Sequence, residues 1–170
     1  VGNDLLPEVF LGRLSFDSQS HLQTIISKTF NYESSPYMGE NWFQRACLVG
    51  DPSSSGISCI ITNDNIKEVL ELHGYNDIRT VYSGSFPSQM TNNLSDGLGF
   101  FNYRGYYGVS GFNSSNVNAT NNGFMLPIAT VITCGTGSFA SDECLAEAFL
   151  RAGTASNPKG SVASIGTATL

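Results

Sequence analysis

Strand-like and helix-like segments alternate along this chain, and that alternation limits its fold more than any other feature. Because helical patterns lie between the strand-like runs, we predict an α/β fold with a mostly parallel sheet of about six strands flanked by helices on both faces. The strands are predicted from short runs rich in β-branched, aliphatic or aromatic residues. These runs are Glu8–Leu11, Ala46–Gly50, Ile78–Tyr82, Leu98–Tyr103, Ile128–Thr133 and Ser161–Ile165.

Three helices have recognisable apolar patterns and ends. Ser18–Phe30 carries an apolar stripe, and Asn63–His73 is followed by a glycine that stops a helix. The third helix begins near Ser141-Asp142-Glu143. By contrast, Tyr107–Gly123 shows no clear periodicity. We predict an irregular loop there, because loops of more than about 12–15 residues are usually functional or disordered.

Composition and charge exclude several function classes. The chain has 170 residues, enough for one domain with a sizeable core, and a formal net charge of −6. Binding to nucleic acid or to an anionic membrane surface would need a clustered excess of Lys and Arg, which the sequence lacks. No apolar run reaches the roughly 18 residues of a membrane span. We therefore predict neither a nucleic-acid partner nor a membrane span.

Cys134 is the residue that says most about function. It ends the apolar run Ile128–Thr133 and is followed by the sequence Gly-Thr-Gly. In an open parallel sheet, substrates bind outside the carboxyl ends of the strands, so Cys134 is a candidate nucleophile. The alternative is that its thiol is a small apolar group completing a buried strand, which is the commoner role of a free cysteine.

The cysteines and histidines do not have the spacing of a metal site. Four cysteines are present, without Cys-x-x-Cys or Cys/His spacing, and there are only two histidines. We therefore predict no bound metal of the structural zinc type. Cys47 lies in an apolar run and is predicted to be in the core. Cys59 and Cys144 lie near helix starts, and the sequence leaves open whether they form a disulfide.

Two further segments are predicted to reach the same edge of the sheet as Cys134. Asp51 follows the strand Ala46–Gly50, and Gly105-Tyr106-Tyr107-Gly108 follows Leu98–Tyr103. This is the layout of a cysteine hydrolase, in which a base takes the thiol proton, an acid orients the base and backbone N–H groups stabilise an oxyanion. The alternative for Asp51 is an ordinary turn or cap residue, since Gly-Asp-Pro-Ser is common turn chemistry.

A set of motifs covers essentially the whole chain in a fixed order. They are Pro7–Leu14, Lys28–Glu33 before Trp42, Asn102–Gly105, Cys134–Phe139, Cys144–Ala152 and Gly160–Gly166. In these motifs the chain resembles the gingipains, a family of secreted cysteine endopeptidases. The resemblance implies a caspase-like α/β/α sandwich, with residues 1–170 forming a single domain excised from a larger catalytic region. It also implies a polypeptide substrate, no cofactor beyond room for structural calcium, and an extracellular or cell-surface location on a bacterium.

The resemblance also assigns roles to site residues. Cys134 matches the nucleophile, and Asp51 matches the acidic residue near the catalytic histidine. Relatives place His-Gly after Asn-Tyr-x-Gly, and this chain has Tyr106-Tyr107 there. Tyr106 therefore takes the position of the base, and the backbone N–H groups of Tyr107 and Cys134 become the oxyanion donors.

Tyrosine at the base position leads to two alternative predictions of function. A phenol with a pKa of about 10 is a poor base at neutral pH. The first prediction is peptide-bond cleavage through a thioester on Cys134, weak or absent in this fragment. The alternative is a catalytically silent homologue that serves as a binding or structural module of a surface protein.

Further expectations concern the histidines, the substrate and the ends of the chain. His73 is predicted at the opposite edge of the sheet, whereas His21 is a candidate substitute base on the same edge as Cys134. The region near Ile60–Asn63 lacks the acid that arginine-specific relatives use, so arginine preference is not predicted and the substrate-binding residues stay unassigned. Strand edges left open by excision predict self-association.

Overall fold

One parallel sheet organises the chain in the computed structural model, which describes Val9, residues 11–140 and residues 143–168. Its strands are β1 (Arg45–Gly50), β2 (Asp77–Val81), β3 (Phe100–Tyr107), β4 (Ile128–Cys134) and β5 (Ala163–Gly166). Their order is β2-β1-β3-β4-β5, and every neighbouring pair is parallel. The predicted fold class is therefore confirmed, and β1, β3 and β4 end side by side.

The described residues form six α-helices, of which the first precedes β1 and the other five lie between strands, and polar caps begin several of them. They are α1 (Gln19–Ser34), α2 (Pro52–Ser55), α3 (Ser58–Leu72), α4 (Phe86–Ser95), α5 (Ser114–Ala119) and α6 (Leu145–Arg151). The side chains of Ser18, Asp51 and Asn113 accept hydrogen bonds from N–H groups in the first turns of α1, α2 and α5. Such bonds satisfy donors that have no partner within the helix.

Several sequence predictions differ from the structure. The described residues of the first predicted strand, Val9 and Leu11, belong to no strand. In the described part of the chain, the sheet therefore has five strands and not the six that were predicted. The predicted loop Tyr107–Gly123 contains α5, because the capping box of Asn113 and Asn116 starts a helix that lacks apolar periodicity. The predicted start of the third helix falls partly on residues 141–142, outside the described residues.

The apolar core lies on the face of the sheet that α4, α5 and α6 cover. Its side chains include the fully buried Leu94, Phe101, Val117, Val131 and Phe149. The Phe149 ring centroid is 5.8 Å from that of Phe101, which joins α6 directly to β3. Burying a side chain of this size stabilises a fold by roughly 1.5–3 kcal/mol. This packing fixes α6 against the strands that carry the candidate site.

The opposite face of the sheet is more polar. There α3 packs on β1 and β3. The Asn102 side-chain amide donates to Asn63 Oδ1 at 2.7 Å, and the Thr130 hydroxyl donates to Asn102 Oδ1 at 2.6 Å. Beyond this chain of hydrogen bonds, Ile132 and Ile165 are 40% and 54% exposed. The helices therefore cover β4 and β5 less completely on this face.

A buried lysine joins α1 to the end of α6. Lys28 is 1% exposed, and its Nζ donates to the carbonyls of Phe149 at 3.0 Å and Leu150 at 2.7 Å. Burial lowers the pKa of Lys28 to about 7. The Lys28 Nζ has enough donors for both carbonyls, and the Phe149 carbonyl also accepts the Ser161 N–H at 3.0 Å. The bond therefore anchors α6 from its C-terminal end.

Candidate active site

The carboxyl edge of the sheet carries all three predicted site segments. Asp51 follows β1, Tyr106 and Tyr107 end β3, and Cys134 ends β4. Tyr107 and Cys134 are direct partners across β3 and β4, and the Gly108 N–H donates to the Cys134 carbonyl at 3.2 Å. Because neighbouring strands lie about 4.8 Å apart, the backbones at Asp51 and Cys134, two strands apart, are separated by about 10 Å.

Tyr106 and Tyr107 lie within β3, so the prediction that this strand ends at Tyr103 and that the two tyrosines follow it is wrong. Pairing with β4 continues to Cys134 across a register shift in which three steps along β3, from Arg104 to Tyr107, oppose two along β4. This is a β-bulge, a feature that redirects side chains. Tyr106 is 72% exposed, and the Tyr107 ring lies 3.6 Å from where a β-carbon on Gly135 would stand. Both phenols are therefore exposed, and the Tyr107 ring lies beside the loop that begins after Cys134.

Cys134 differs from the other cysteines in its accessibility. All four cysteines are free thiols, and Cys134 is half-buried while Cys47, Cys59 and Cys144 are buried. Burial raises the pKa of Cys47 to about 12, despite the opposing charge of Arg79, so its thiol stays protonated at neutral pH. A half-buried thiol at a strand end fits the nucleophile interpretation better than the alternative of a buried apolar group. Cys59 and Cys144 do not form a disulfide.

The loop after Cys134 is held by backbone hydrogen bonds and by close packing. The Gly137 N–H donates to the Thr167 carbonyl at 2.9 Å, and the Ala146 N–H donates to the Thr136 carbonyl at 3.0 Å. A β-carbon on Gly137 would stand 2.7 Å from the carbonyl carbon of Gly166, closer than real β-carbons approach other atoms. The loop can therefore lie against the end of β5 only because residue 137 is glycine.

Asp51 is bound to two other segments at this edge. Its Oδ1 accepts the N–H of Ser53 at 3.0 Å and also the Ser53 hydroxyl. Its Oδ2 accepts the Ser110 hydroxyl at 2.5 Å. Burial opposes ionisation of Asp51, but the hydrogen bonds from Ser110 and Ser53 outweigh it and lower the pKa of the carboxyl. The helix-cap interpretation of Asp51 is confirmed, and the same carboxylate also holds the turn after β3.

Ser110 and Tyr103 belong to this network, and the sequence analysis did not identify them. Their hydroxyls lie 2.6 Å apart, and Ser110 has a left-handed backbone with φ of 43°. A non-glycine residue in that region is held there by its surroundings at a cost of about 1–3 kcal/mol. The available signal was the serine between Gly108 and Gly111, since two glycines mark a sharp turn. That turn connects the exposed tyrosines to Asp51.

The segment before α1 contacts the region that follows Cys134. The Arg13 guanidinium lies 4.0 Å from the centroid of the Phe139 ring. The Arg151 side chain donates to the Ser15 carbonyl at 3.0 Å and to Glu147 at 3.0 Å. Burial opposes ionisation of Glu147, but hydrogen bonds, first that from Ser15, lower the pKa of this carboxyl. The start of α6 is thus fixed by a buried ion pair as well as by apolar packing.

Neither histidine occupies the base position, which is residue 106. His73 follows the last residue of α3 and precedes β2, which places it at the amino edge of the sheet. His21 is in the first turn of α1, with Nδ1 2.6 Å from Asp17 Oδ1, and Asp17 lies 3.4 Å from Arg151. His21 is therefore engaged at the contact between α1 and α6.

The region Ile60–Asn63, which lacks the acid of arginine-specific relatives, lies in α3. Asn63 is fully buried against the sheet, so its side chain is not available to a substrate.

The described residues contain neither a metal-binding cluster nor a membrane-spanning helix. Within residues 11–140 and 143–168, no three His, Cys, Asp or Glu side chains are grouped so that they could hold a metal ion. Among the helices in the described part of the chain, none combines the length and apolar character needed to cross a membrane.

Sequence comparison identifies relatives over almost the whole chain. The sequence model for the family described as Peptidase family C25 matches residues 1–170. Gingipain R2 of Porphyromonas gingivalis is 33% identical over 177 residues, which cover 97% of this chain and 24% of that protein. Lys-gingipain from the same species is 26% identical over 129 residues, 71% of this chain and 7% of that protein. The chain thus spans about a quarter of the length of the first relative.

Solved structures agree with this sequence match. The crystal structure of the Arg-specific cysteine proteinase gingipain R superimposes with a TM-score of 0.88 at 32% identity. The match covers 99% of this chain and 42% of that chain. A complex of the gingipain pro- and mature domains from Porphyromonas gingivalis gives the same TM-score at 31% identity, covering 99% of this chain and 43% of that chain. The gingipain-type, caspase-like fold predicted from the motifs is therefore confirmed.

Proposed function

Because the chain belongs to peptidase family C25, we propose that it is a gingipain-like cysteine peptidase domain that cleaves peptide bonds through a thioester on Cys134. The observation that supports this most directly is the half-buried Cys134 thiol at the end of β4, beside the backbone of Tyr107. Nucleophiles of this kind act at strand ends, where loops bind the substrate. The substrate class is polypeptide.

In this proposal the Cys134 thiolate attacks the carbonyl carbon of the scissile peptide. The new S–C bond moves an electron pair onto the carbonyl oxygen, and the N–H groups of Tyr107 and Cys134 stabilise the negative charge. Collapse of this intermediate breaks the C–N bond, and the leaving amine takes a proton from solvent, which received the thiol proton. Water then hydrolyses the thioester and regenerates the thiol. The backbones of Tyr107 and Cys134 lie side by side in the sheet, which suits two donors to one oxygen.

Tyr106 occupies the position of the base in this scheme, and Asp51 acts through the turn after β3. Tyr106 is exposed, so the thiol proton is lost to solvent more readily than to a positioned base. An unassisted thiol is only a few per cent ionised at neutral pH, and a missing general base costs roughly 10²–10⁴-fold in rate. We therefore expect slow peptide cleavage. Asp51 is already bound to Ser53 and Ser110, which suits it to fix the geometry of the edge.

The alternative of a catalytically silent binding module is less favoured. Its support is Tyr106 alone. The opposing consideration is the match of the whole chain to a peptidase family, with a proteinase structure superimposing on 99% of its residues. A partly accessible thiol at a strand end is also expected of a peptidase and is not needed by a binding module.

The experiment that tests the proposal is cleavage of a mixed peptide library by the parent protein and by two cysteine variants. Cys134→Ala should reduce cleavage to background, because the thioester cannot form. Cys59→Ala is the matched control, since Cys59 is buried in α3 and should leave cleavage unchanged. Brisk cleavage by Cys134→Ala, or none by the parent even after prolonged incubation, would reject the peptidase proposal.

The proposal includes a location and a state of association. The relatives are proteins of a bacterium, Porphyromonas gingivalis. We propose an extracellular or cell-surface location, and protease treatment of intact cells that leaves the protein undigested would contradict it. The outer strand β5 and the exposed Ile165 offer an edge for self-association. Light scattering that shows a strict monomer at high concentration would contradict self-association through this edge.

A further inference from the structure

The carbonyl of Thr133 is held from several directions at the end of β4. The Thr136 hydroxyl donates to it at 2.8 Å and the Thr136 N–H at 3.4 Å. The hydroxyl of Thr167, just after β5, donates to the same oxygen. These donors come from the loop after β4 and from the end of β5. The carbonyl is therefore fixed between two separate segments of the chain.

This carbonyl belongs to the same peptide unit as the Cys134 N–H. A peptide unit is planar, and in the trans form its C=O and N–H point in opposite directions. When the Thr133 oxygen is fixed, the direction of the Cys134 N–H is fixed as well. That N–H is one of the two oxyanion donors in the proposed function. Preorganised donors accelerate a reaction because they need no reorientation when the charge develops.

Thr136 is built into the fold in a way that suits this role. Its side chain is 2% exposed, and its hydroxyl shares its proton between the Thr133 and Val131 carbonyls, both at 2.8 Å. The same hydroxyl oxygen accepts the Thr167 N–H at 3.3 Å. The Thr136 carbonyl accepts the Ala146 N–H of α6. Thr136 thus joins β4, the end of β5 and α6 at a point two residues after the nucleophile.

We propose that Thr136 and Thr167 are positioning residues that orient the Cys134 N–H toward the oxyanion of the reaction. This inference rests on the proposed function. Neither threonine touches the reacting atoms, and both act through the peptide unit between Thr133 and Cys134. The hydroxyl groups of the two threonines, and not the volume of their side chains, orient the Cys134 N–H.

The test compares Thr136→Val with Thr136→Ser. Valine keeps the shape of threonine and removes the hydroxyl, whereas serine keeps the hydroxyl. We expect Thr136→Val to lower kcat about 10- to 100-fold with little change in KM, somewhat less than the 10²–10³-fold loss caused by removing a whole oxyanion donor. Thr136→Ser should retain the parent kcat within about threefold, because the hydroxyl that orients the donor is still present.

Two reagents separate oxyanion stabilisation from thiol reactivity. A peptide aldehyde adds to Cys134 by forming an S–C bond and placing charge on its oxygen, so its affinity should fall in parallel with kcat in Thr136→Val. Iodoacetamide alkylates the thiol by displacing iodide and forms no oxyanion. Its rate at Cys134, followed by mass spectrometry, should therefore stay within about twofold of the parent rate.

Control variants keep the test decisive. Thr120→Val removes another buried hydroxyl, which donates to the Val117 carbonyl at 2.7 Å at the end of α5, and it should change neither kcat nor aldehyde affinity. If Thr136→Val does not fold, Thr167→Val removes the second hydroxyl on the same carbonyl from a less buried position. We expect Thr167→Val to lower kcat and aldehyde affinity in the same way.

The outcomes separate this inference from the function on which it rests. A parent protein that neither cleaves peptides nor binds the aldehyde overturns the proposed function and, with it, the positioning role. In an active parent, unchanged aldehyde affinity in Thr136→Val overturns the positioning role alone. An equal loss in Thr120→Val or in Thr136→Ser does the same, because the effect would then not depend on the hydroxyl at residue 136.

Discussion

The two strand ends that meet at the candidate site are held in different ways. After β4, the Cys134 peptide and Gly137 are tied to the end of β5, and α6 is anchored at both of its ends. At the end of β3, Tyr106 and Tyr107 stand on a β-bulge with most of their side-chain surface exposed. Their backbone pairs with β4, and the turn after them is held through Ser110 and Asp51.

This difference separates the two parts of the proposed reaction, which are nucleophilic attack with oxyanion stabilisation and removal of the thiol proton by a base. In the proposed function, the nucleophile Cys134 and its own N–H lie where hydrogen bonds from two segments hold the backbone, as efficient acyl transfer requires. The proposed base position holds the exposed phenol of Tyr106. On this proposal, the chain has the part of a cysteine peptidase site that depends on the backbone and lacks the basic side chain.

The largest expected effect comes from supplying the missing base. Tyr106→His should raise kcat/KM for peptide cleavage by roughly 10²–10⁴-fold, since general base catalysis contributes about that much when the nucleophile and donors are already placed. Tyr106→Phe is the control and should leave the slow parent rate unchanged. No gain in Tyr106→His would mean that the β3 side of the site lacks more than a basic side chain.

A pair of glycine substitutions measures how tightly each strand end is packed. Gly137→Ala should destabilise the protein by about 2–3 kcal/mol, because its β-carbon would meet the backbone of Gly166 at 2.7 Å. Gly108→Ala, after β3, has open space around its β-carbon and should cost only about 1 kcal/mol through its left-handed φ of 57°. Urea unfolding of both variants tests this order. Equal losses would contradict the difference between the two ends.

A smaller loss of stability than that of Gly137→Ala is expected where Asp51 supports the β3 side. Asp51→Ala removes the cap of α2 and the anchor of Ser110, and should cost about 1–2 kcal/mol at pH 7. The pKa of Asp51 is lowered in the folded protein, so this contribution is present above the unfolded pKa of about 3.9 and is lost as the pH falls through the folded pKa. The stability difference between parent and variant should therefore shrink below about pH 4. A difference that stays constant down to pH 2 would exclude an ionised anchor.

Local patterns in the sequence predicted much of this architecture. Runs such as Ala46–Gly50 and Ile128–Thr133 were predicted as strands within a residue of their observed ends, because short apolar runs bounded by turn residues are typical of buried strands. The apolar stripe that follows Ser18 predicted the helix α1. The helix α5 was missed because Asn113 and Asn116 start it by polar capping, which apolar periodicity does not detect. The helices α2 and α4 were missed as well.

The sequence by itself determined the parallel α/β sheet, the membership of a peptidase family, and the chemistry of a thiol at a strand end. It did so because apolar periodicity and short motifs are local properties of the chain. Only the tertiary structure decided that Tyr106 and Tyr107 extend β3, that Asp51 binds Ser110, and that Thr136 and Thr167 hold one carbonyl. Apart from the local bond of Thr136 to Thr133, those contacts depend on strand register and on segments about 30–60 residues apart, and contacts across such separations leave no periodic signal in the sequence.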